Sequence, residues 1–257
     1  MEKYQMNIRK RMFQHKNNLD IPDISAKTSD GIRLYETPEG KFYPSITTVL
    51  KNRGKEGLFE WRKRVGEDVA TYVSRKSATR GTQVHHYCEK YLDNGYENED
   101  WNEYKKGRFL SYCLFSQLKP YLDKTIGLIY CQESALWSDK YKIAGRVDCI
   151  AEYNGEVAVI DFKTSTKERE DSWNENYYIQ ASAYSEMFYE RTNIQINKIV
   201  ILVVTEDGTV QEFIKDKKDY LLLLDKELEK YYNTNNLKEI SQGSDDNVVR
   251  LNMPDWG

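Results

Sequence analysis

Two aspartates and a lysine lie in two neighbouring apolar segments near the middle of the chain. Asp148 belongs to the first segment, and Asp161 and Lys163 belong to the second, with Asn154-Gly155 between them. This dipeptide is typical of a two-residue type I′ turn. In a regular hairpin centred on this turn, Asp148 lies directly opposite Asp161. Lys163 shares their face, because side chains two residues apart on a strand point to the same side.

Two opposed carboxylates in an apolar hairpin are unfavourable unless a cation lies between them. Like charges that face each other destabilise a strand pair by about 0.2–1 kcal/mol even when they are exposed. Mg²⁺ and Mn²⁺ prefer such oxygen ligands, and a bound ion of this kind can activate a water and stabilise charge on a phosphoryl oxygen. In the alternative, Lys163 pairs with one or both aspartates without a metal. A β-bulge would also move one aspartate off the shared face.

The composition is that of one large domain with an apolar core. The chain has 257 residues, of which 39% are hydrophobic, enough for a sizeable core. Its net charge of −3 argues against a protein that coats nucleic acid. Residues 51–80 carry nine Lys or Arg against four Asp or Glu, so they form a candidate basic face. No apolar run is long enough to cross a bilayer, so no membrane partner is expected.

The N-terminus and the cysteines bear on where the protein works. The first 17 residues are basic and lack the apolar stretch of a signal peptide. We therefore expect an intracellular, cytoplasmic protein of a bacterial or phage-infected cell, with organelle import as a weaker alternative. The cysteines lack the close spacing of a zinc or iron–sulfur site, so we expect reduced core thiols and no iron–sulfur cluster. They are Cys88, Cys113, Cys131 and Cys149.

Apolar periodicity predicts helices, then three strands, a helix, two strands and a last helix. Helical spacing is found in residues 56–75, 80–93, 100–123, 177–191 and 216–232, the third stopping at or soon after Pro120. Strand patterns cover residues 126–138, 141–153 and 156–164, and a further strand pair turns at Asp207-Gly208. Near the N-terminus, an extended segment turns at Gly40 and ends at Ser45, the N-cap of a short helix. This order predicts an α/β protein, in which helices pack on a β-sheet.

The motif residues resemble those of a known family. Gly145-Arg-Val-Asp148 followed by Ile160-Asp161-Phe-Lys163-Thr164 is similar to the motif core of the PD-(D/E)xK nuclease superfamily, in its RecB-like branch, although Val147 replaces the usual proline. Residues 80–92 (RGTQVHHYCEKYL) resemble the branch's Gly-Thr-x-x-His helix, and residues 177–188 (YYIQASAYSEMF) resemble its Gln-x-x-x-Tyr helix. Residues 43–50 (YPSITTVL) resemble a Pro-Ser-x-Thr segment of the subgroup that contains mitochondrial genome maintenance exonucleases and related phage exonucleases.

The resemblance implies a restriction-endonuclease-like core, a mixed β-sheet flanked by helices, with a metal site. It implies that Mg²⁺ or Mn²⁺ is held by His85, Asp148, Asp161 and the backbone carbonyl of Phe162, with Glu133 as a further candidate ligand. The resemblance also implies that Lys163 orients the attacking water, and that Gln180 fixes Lys163 or the scissile phosphate. Residues expected to contact DNA or to support the site are Tyr184, Glu89, Ser45, Thr47, Arg80 and Thr164.

Several of these residues have simpler alternative roles. His86 replaces His85 as the ligand if the helix has a different phase. Glu89 is an acidic surface residue if it does not support the metal site. Gln180 and Tyr184 are polar residues of a helix surface in the alternative. Ser45 and Thr47 are better explained as helix caps than as DNA contacts unless the subgroup resemblance holds.

Composition and the resemblance together predict how the chain is divided. Residues 1–30 form a polar, solvated arm, and residues 31–233 a single nuclease domain, with a helical cover over the active site at about 45–123. The catalytic core spans about 80–215 and a C-terminal helix about 216–233. Residues 234–257 form a mobile tail, in which an acidic and apolar run is a candidate docking peptide for a replication or recombination partner.

The implied activity is metal-dependent hydrolysis of DNA phosphodiester bonds by an exonuclease that prefers single-stranded ends, tails or flaps. Duplex DNA and RNA stay open as substrates. The alternatives are a duplex-resecting recombination exonuclease, an endonuclease of the same superfamily, or a non-catalytic nucleic-acid-binding protein. Aromatic residues near the basic face are candidates for base stacking, although we expect most of them to lie in the core. These are Tyr87, Tyr91, Trp101 and Tyr104.

Overall fold

The computed structural model describes residues 12–17, 19–29, 31–95 and 107–241. Its strands are β1 (Ala26–Ser29), β2 (Ile32–Glu36), β3 (Phe42–Pro44), β4 (Ile126–Ser138), β5 (Ile143–Tyr153), β6 (Glu156–Ser165), β7 (Lys198–Thr205) and β8 (Val210–Asp216). Its α-helices over the described ranges are α1 (Ile46–Val49), α2 (Lys55–Val65), α3 (Glu67–Leu92), α4 (Phe109–Thr125), α5 (Glu175–Thr192) and α6 (Lys218–Ser241). Short 3-10 turns, Leu50–Asn52 and Asp171–Asn174, follow α1 and precede α5.

The central sheet contains five strands in the order β4-β5-β6-β7-β8. The pairs β4/β5, β5/β6 and β7/β8 are antiparallel, and β6 and β7 are parallel. The parallel connection from β6 to β7 contains α5, as expected for a crossover between parallel strands. The predicted mixed sheet flanked by helices is therefore confirmed.

Helices cover both faces of the central sheet. On one face, α3 and α4 pack through a buried cluster that includes Val84, Leu114 and Ile160. On the other face, α5 and α6 pack through a cluster that includes Val159 and Leu224. Because both faces are covered, β6 and β7 have nearly continuous apolar runs instead of an alternating pattern. A charged side chain on these strands is therefore placed in a dry environment unless it lies at a strand end.

A small antiparallel sheet, β1-β2-β3, lies against β5. The prediction that residues 1–30 form a polar, solvated arm is partly wrong. Ala26–Ser29 forms β1, and the side chains of Phe13 and Ile24 are buried. The backbone around His15 pairs with Ile129 of β4. The described part of the arm is therefore packed on the domain instead of being solvated.

Three helix boundaries differ from the sequence-based predictions. The predicted break between residues 75 and 80 is absent, and the chain breaks earlier at Gly66, whose φ of 87° interrupts the helix. Pro120 lies inside α4, which continues to Thr125 because Leu118 and Leu122 are buried in the core. The last helix extends to Ser241, beyond the predicted boundary at 233. The remainder of the predicted tail, residues 242–257, lies outside the described residues.

Candidate active site

The hairpin of β5 and β6 has the predicted register over its turn half. Its ladder runs from Tyr153↔Glu156 to Cys149↔Ile160. The turn residues Asn154 and Gly155 have φ values of 54° and 82°, as a type I′ turn requires. The prediction of this hairpin and its turn is confirmed.

The ladder stops one residue before the two aspartates would pair. One carboxylate oxygen of Asp148 accepts a hydrogen bond of 2.9 Å from the backbone N–H of Phe162. This side-chain bond replaces a backbone ladder bond, so Asp148 and Asp161 are not ladder partners as the regular hairpin predicts. They still lie near each other, because each is adjacent in sequence to a residue of the last ladder pair, Cys149↔Ile160.

Asp161 is buried, with 1% of its surface exposed. Neither of its oxygens has a hydrogen-bond partner of good geometry, although the ammonium of Lys163 forms an ion pair with one of them. Burial raises the pKa of Asp161 to about 6, with Lys163 opposing the shift and Asp148 adding to it. A buried carboxylate without hydrogen bonds is rare in proteins and indicates a functional role or a missing ion.

Lys163 is the cation of this buried pair. Burial lowers the pKa of Lys163, but the charges of Asp161 and Asp148 outweigh burial and raise it above the usual range. The ammonium also lies over the ring of Tyr177 on α5, 4.9 Å from its centre. Lys163 is therefore protonated near neutral pH, so it acts as a fixed cation and a hydrogen-bond donor.

His85 of α3 reaches the open end of the hairpin from the opposite layer. Its Nε2 donates to the backbone oxygen of Phe162 at 2.5 Å, and its Nδ1 lies 3.5 Å from a carboxylate oxygen of Asp148. Burial lowers the pKa of His85, but the charge and hydrogen bond of Asp148 outweigh it and raise the pKa to about 9. His86, the alternative ligand, lies beside Glu89 instead, with 3.5 Å between Nδ1 and the carboxylate.

Glu133 of β4 completes a compact group of possible metal ligands. One ligand atom each from His85, Glu133 and Asp148 lie within 4.8 Å of one another. Burial and the neighbouring charge of Asp148 raise the pKa of Glu133 to about 7. The structure therefore places Glu133 with His85 and Asp148, while Asp161 forms its ion pair with Lys163.

The backbone of Glu133 is held in a rare conformation. Its φ is 43°, in the left-handed region that non-glycine residues seldom adopt. The guanidinium of Arg146 donates to the backbone oxygen of Glu133 and also contacts Asp23 at 3.0 Å. Sequence reasoning missed this role of Arg146, although the residue lies inside the motif, because a side-chain to backbone contact across strands has no sequence signal.

The donor set fits a divalent cation. An imidazole nitrogen and carboxylate oxygens converge, and the adjacent buried carboxylate of Asp161 has only the ion pair with Lys163 to compensate its charge. Carboxylates suit Mg²⁺ and Mn²⁺, and imidazole binds transition metals more readily, so this mixture fits Mn²⁺ at least as well as Mg²⁺. His85, Asp148 and Glu133 would hold such an ion, with Asp161 and the carbonyl of Phe162 next to them.

The helix α5 brings Gln180 and Tyr184 to the other side of the site. The amide of Gln180 donates to the buried Tyr184 hydroxyl at 3.0 Å. The Tyr184 ring lies directly on Gly145 of β5, where an added Cβ would come within 2.7 Å of the ring. Gly145 is therefore required for this contact, and Tyr184 in turn orients Gln180. Tyr177 lies on the same face of α5, one turn before Gln180.

The remaining predicted residues make contacts within the protein. The guanidinium of Arg80 is buried and bonds Thr164 at 3.2 Å and the carboxylate of Glu206, so it ties α3 to the ends of β6 and β7. Ser45 caps α1 by accepting from the backbone N–H of Thr48 at 3.1 Å, and Thr47 is exposed beside it.

The aromatic residues available for stacking differ from those the sequence suggested. Tyr87 and Tyr91 are buried in the core between α3 and α4, so they cannot stack on bases. Trp101 and Tyr104 lie outside the described residues. Phe59 of α2 and Tyr72 of α3 are instead exposed, on two helices that have almost no buried side chains between residues 55 and 79.

A family model described as the PD-(D/E)XK nuclease superfamily matches residues 55–247. Human mitochondrial genome maintenance exonuclease 1 is 28% identical over 180 residues, which are 65% of this chain and 50% of that protein. One component of an ATP-dependent helicase/nuclease from Clostridium beijerinckii is 32% identical over 77 residues, which are 29% of this chain and 6% of that protein. The chain thus spans about half the length of the first of these relatives and a small part of the second.

A solved structure from Eubacterium rectale, of a protein with only an inferred exonuclease assignment, also resembles this chain. It has a TM-score of 0.43 and 13% identity, and the alignment covers 62% of this chain and 68% of that one. Among the described residues, no helix combines the length and the apolar character that spanning a membrane needs.

Proposed function

Since this chain belongs to the PD-(D/E)XK nuclease superfamily, we propose that it is a divalent-metal-dependent DNA exonuclease acting on single-stranded ends, tails or flaps. The observation that carries the proposal is the convergence of His85, Glu133 and Asp148 within 4.8 Å, beside the buried pair of Asp161 and Lys163. The similarity to one protein named as an exonuclease and to another named as part of a helicase/nuclease agrees with it.

His85, Glu133 and Asp148 would hold a divalent ion, which would act as a Lewis acid on a phosphoryl oxygen and lower the pKa of a water. His85 is kept in one orientation by the carbonyl of Phe162. Such an orienting contact to the second ring nitrogen is a common feature of metal-binding histidines.

Lys163 places a positive charge where the phosphate must lie. Because its pKa is raised, it donates a hydrogen bond to the attacking water or to a phosphate oxygen and does not act as a general base at neutral pH. Asp161 holds the ammonium in place through the ion pair. Gln180, oriented by Tyr184, supplies a further donor on the α5 side of the site.

The proposed preference for single strands rests on α2 and the first half of α3, whose side chains are mostly exposed. Their exposed side chains combine Phe59 and Tyr72 with basic residues, the mixture with which proteins bind single strands by stacking and charge. The basic residues exposed there are Lys55, Lys63, Arg64, Arg75 and Lys76. These helices are the proposed cover over the path of the strand.

One digestion experiment tests the proposal. End-labelled linear single-stranded, circular single-stranded and duplex DNA are incubated with and without Mg²⁺ or Mn²⁺. We expect metal-dependent release of short products from the linear single strand only. Equal cutting of the circle indicates an endonuclease, and preferred digestion of duplex indicates a resecting exonuclease. No hydrolysis with any substrate or metal contradicts the proposal.

A further inference from the structure

Arg169 lies in the segment between β6 and α5, close to the site. Its guanidinium carbon is 5.5 Å from the centre of the Tyr177 ring, and the ammonium of Lys163 is 4.9 Å from the same centre. The two cations therefore flank one aromatic ring and cannot be farther apart than the sum of these distances. A positive charge of unassigned role is thus placed next to the lysine of the hydrolytic centre.

Neutral groups hold Arg169 in this position. Its Nε donates to the side-chain oxygen of Asn174 at 2.7 Å, and one Nη donates to the backbone oxygen of Trp173 at 2.7 Å. Its backbone N–H and oxygen are both bonded to the Gln211 side chain of β8, at 2.8 and 3.1 Å. Asn174 is itself fully buried, so the guanidinium is anchored to a rigid part of the fold.

The guanidinium of Arg169 lacks an ion-pair partner among the described residues. The other buried or half-buried arginines near the core are paired: Arg53 with Glu175 and Glu227, Arg80 with Glu206, Arg146 with Asp23, and Arg191 with Asp139 and Glu190. The nearby carboxylate of Asp171 is occupied by Tyr178 and Lys215. An ordered arginine with neutral neighbours keeps its full charge and its remaining donors for an anion.

We propose that Arg169 is a phosphate-binding subsite, in which its guanidinium contacts a phosphate of the nucleic acid strand next to the phosphodiester that is cut. The planar guanidinium matches the oxygens of a phosphate. A strand carries a phosphate about every 3.4 Å along a stacked helix, so a second phosphate lies within reach when the first is at Lys163. This inference rests on the proposed function of the neighbouring centre.

The phosphate is either an internal phosphodiester or a terminal phosphate. Both have the same recognition chemistry, so the substrate has to distinguish them. A purely structural role is the competing explanation, in which Arg169 only ties the segment before α5 to Asn174 and Gln211. The two explanations differ in their dependence on salt and on the charge of the substrate.

Binding of fluorescent single-stranded oligonucleotides tests the subsite separately from cleavage. Affinity is measured by anisotropy in a background that carries Asp161→Asn, so that the strand stays intact. In this background Arg169→Gln should weaken binding about tenfold and reduce the slope of log affinity against log salt by about 0.7, the value for one contact with a single strand. Arg169→Lys, which keeps the charge, should restore the slope.

Substrates with one neutral methylphosphonate at successive positions locate the contact. In the protein with Arg169, a methylphosphonate at one position should weaken binding about tenfold. In Arg169→Gln, a methylphosphonate at that position should weaken binding no further. If the sensitive position is the 5′ end, replacing the 5′-phosphate by a hydroxyl should have the same effect. Arg191→Gln is the matched control, because Arg191 also lies over an aromatic ring but is paired with Asp139 and Glu190.

An unchanged affinity and salt slope in Arg169→Gln overturns the subsite, as does an equal loss in Arg169→Gln and Arg169→Lys with an unchanged slope. Additive effects of the methylphosphonate and the substitution overturn it too. Absence of hydrolysis by the wild-type protein in the digestion experiment would instead overturn the proposed function. The binding measurements would still show whether Arg169 contacts a phosphate.

Discussion

The two ends of the β5–β6 hairpin follow opposite rules. At the turn end, Asn154 and Gly155 adopt the positive φ values of a type I′ turn, and the ladder is regular up to Cys149↔Ile160. At the open end the ladder stops, and the side chain of Asp148 accepts a hydrogen bond from the N–H of Phe162. The buried carboxylate of Asp161 has no hydrogen bond there, only its ion pair with Lys163. The local structure of this strand pair thus favours stability at the turn end and disfavours it at the open end.

This difference indicates what the open end is for. Buried charge and rare backbone conformations cost free energy, and they persist mainly where function requires them. The turn end determines the register, and thereby which residues reach the open end. The open end concentrates His85, Glu133, Asp148, Asp161 and Lys163. Substitutions at the two ends should therefore separate activity from stability.

The largest expected effect is on hydrolysis at the open end. Asp161→Asn and Lys163→Ala should each reduce the turnover number by about 10³-fold or more, because Lys163→Ala removes the cation proposed at the reacting phosphate and Asp161→Asn removes the carboxylate that holds this cation in place. The melting temperature of Asp161→Asn should fall, because the buried ammonium of Lys163 loses its ion-pair partner, but the variant should still be folded at 25 °C, where turnover is measured. Turnover is measured on end-labelled single strands and stability by thermal unfolding. Full activity in both variants would exclude these roles.

The next effect is on metal affinity. Glu133→Gln keeps the shape of the side chain but removes a charged oxygen ligand, so the affinity for Mn²⁺ should fall by about 100-fold, since loss of a residue that merely supports a ligand already costs about 10–100-fold. Glu89→Gln, on a carboxylate that lies beside His86, is the matched control and should have little effect. Titration calorimetry with both variants measures this. Equal affinities would remove Glu133 from the ligand set.

The raised pKa values predict how metal affinity depends on pH. A ligand must lose its proton before it binds the ion, so affinity falls as pH falls. His85, with a pKa of about 9, should give about a tenfold loss per pH unit below pH 9. Glu133, with a pKa of about 7, should steepen the loss below pH 7. The steeper part should disappear in Glu133→Gln, and its persistence there would contradict this assignment.

The smallest effect is expected at the turn end. Gly155→Ala forces a side chain into φ of 82° and should reduce the free energy of unfolding by about 1–2 kcal/mol. Metal affinity and turnover at 25 °C should stay unchanged, because the ligands lie at the far end of the strands. Chemical denaturation and the same cleavage assay measure the two quantities. A loss of turnover without a loss of stability would show that the turn end affects the active site directly.

Much of the architecture could be predicted because its signals are local. The dipeptide Asn154-Gly155 and the apolar runs around it specify the hairpin, and the cap at Ser45 and the turn at Gly40 also follow from short patterns. The α3 helix shows the limit. Residues 75–80 are polar and resemble a break, but none of them requires a non-helical φ, whereas Gly66 adopts one.

The arrangement of the candidate site was only partly predictable. The residue types and their order identified His85, Asp148, Asp161 and Lys163, but a regular register places the two aspartates opposite each other. The side-chain bond from Asp148 to the Phe162 N–H and the left-handed backbone of Glu133 depend on tertiary contacts. No periodicity in a single sequence encodes such contacts, and the same holds for Arg146 and Arg169.

The central claim is that the charges at the open end of the hairpin are arranged around a divalent ion, and Mn²⁺ titration of the full chain tests it most directly. Wild-type protein should bind Mn²⁺ saturably, and its melting temperature should rise with the metal concentration, as for any ligand that binds only the folded state. Asp148→Asn should fold and show neither effect. Absence of saturable binding by the wild-type protein, or equal binding by Asp148→Asn, would contradict the claim.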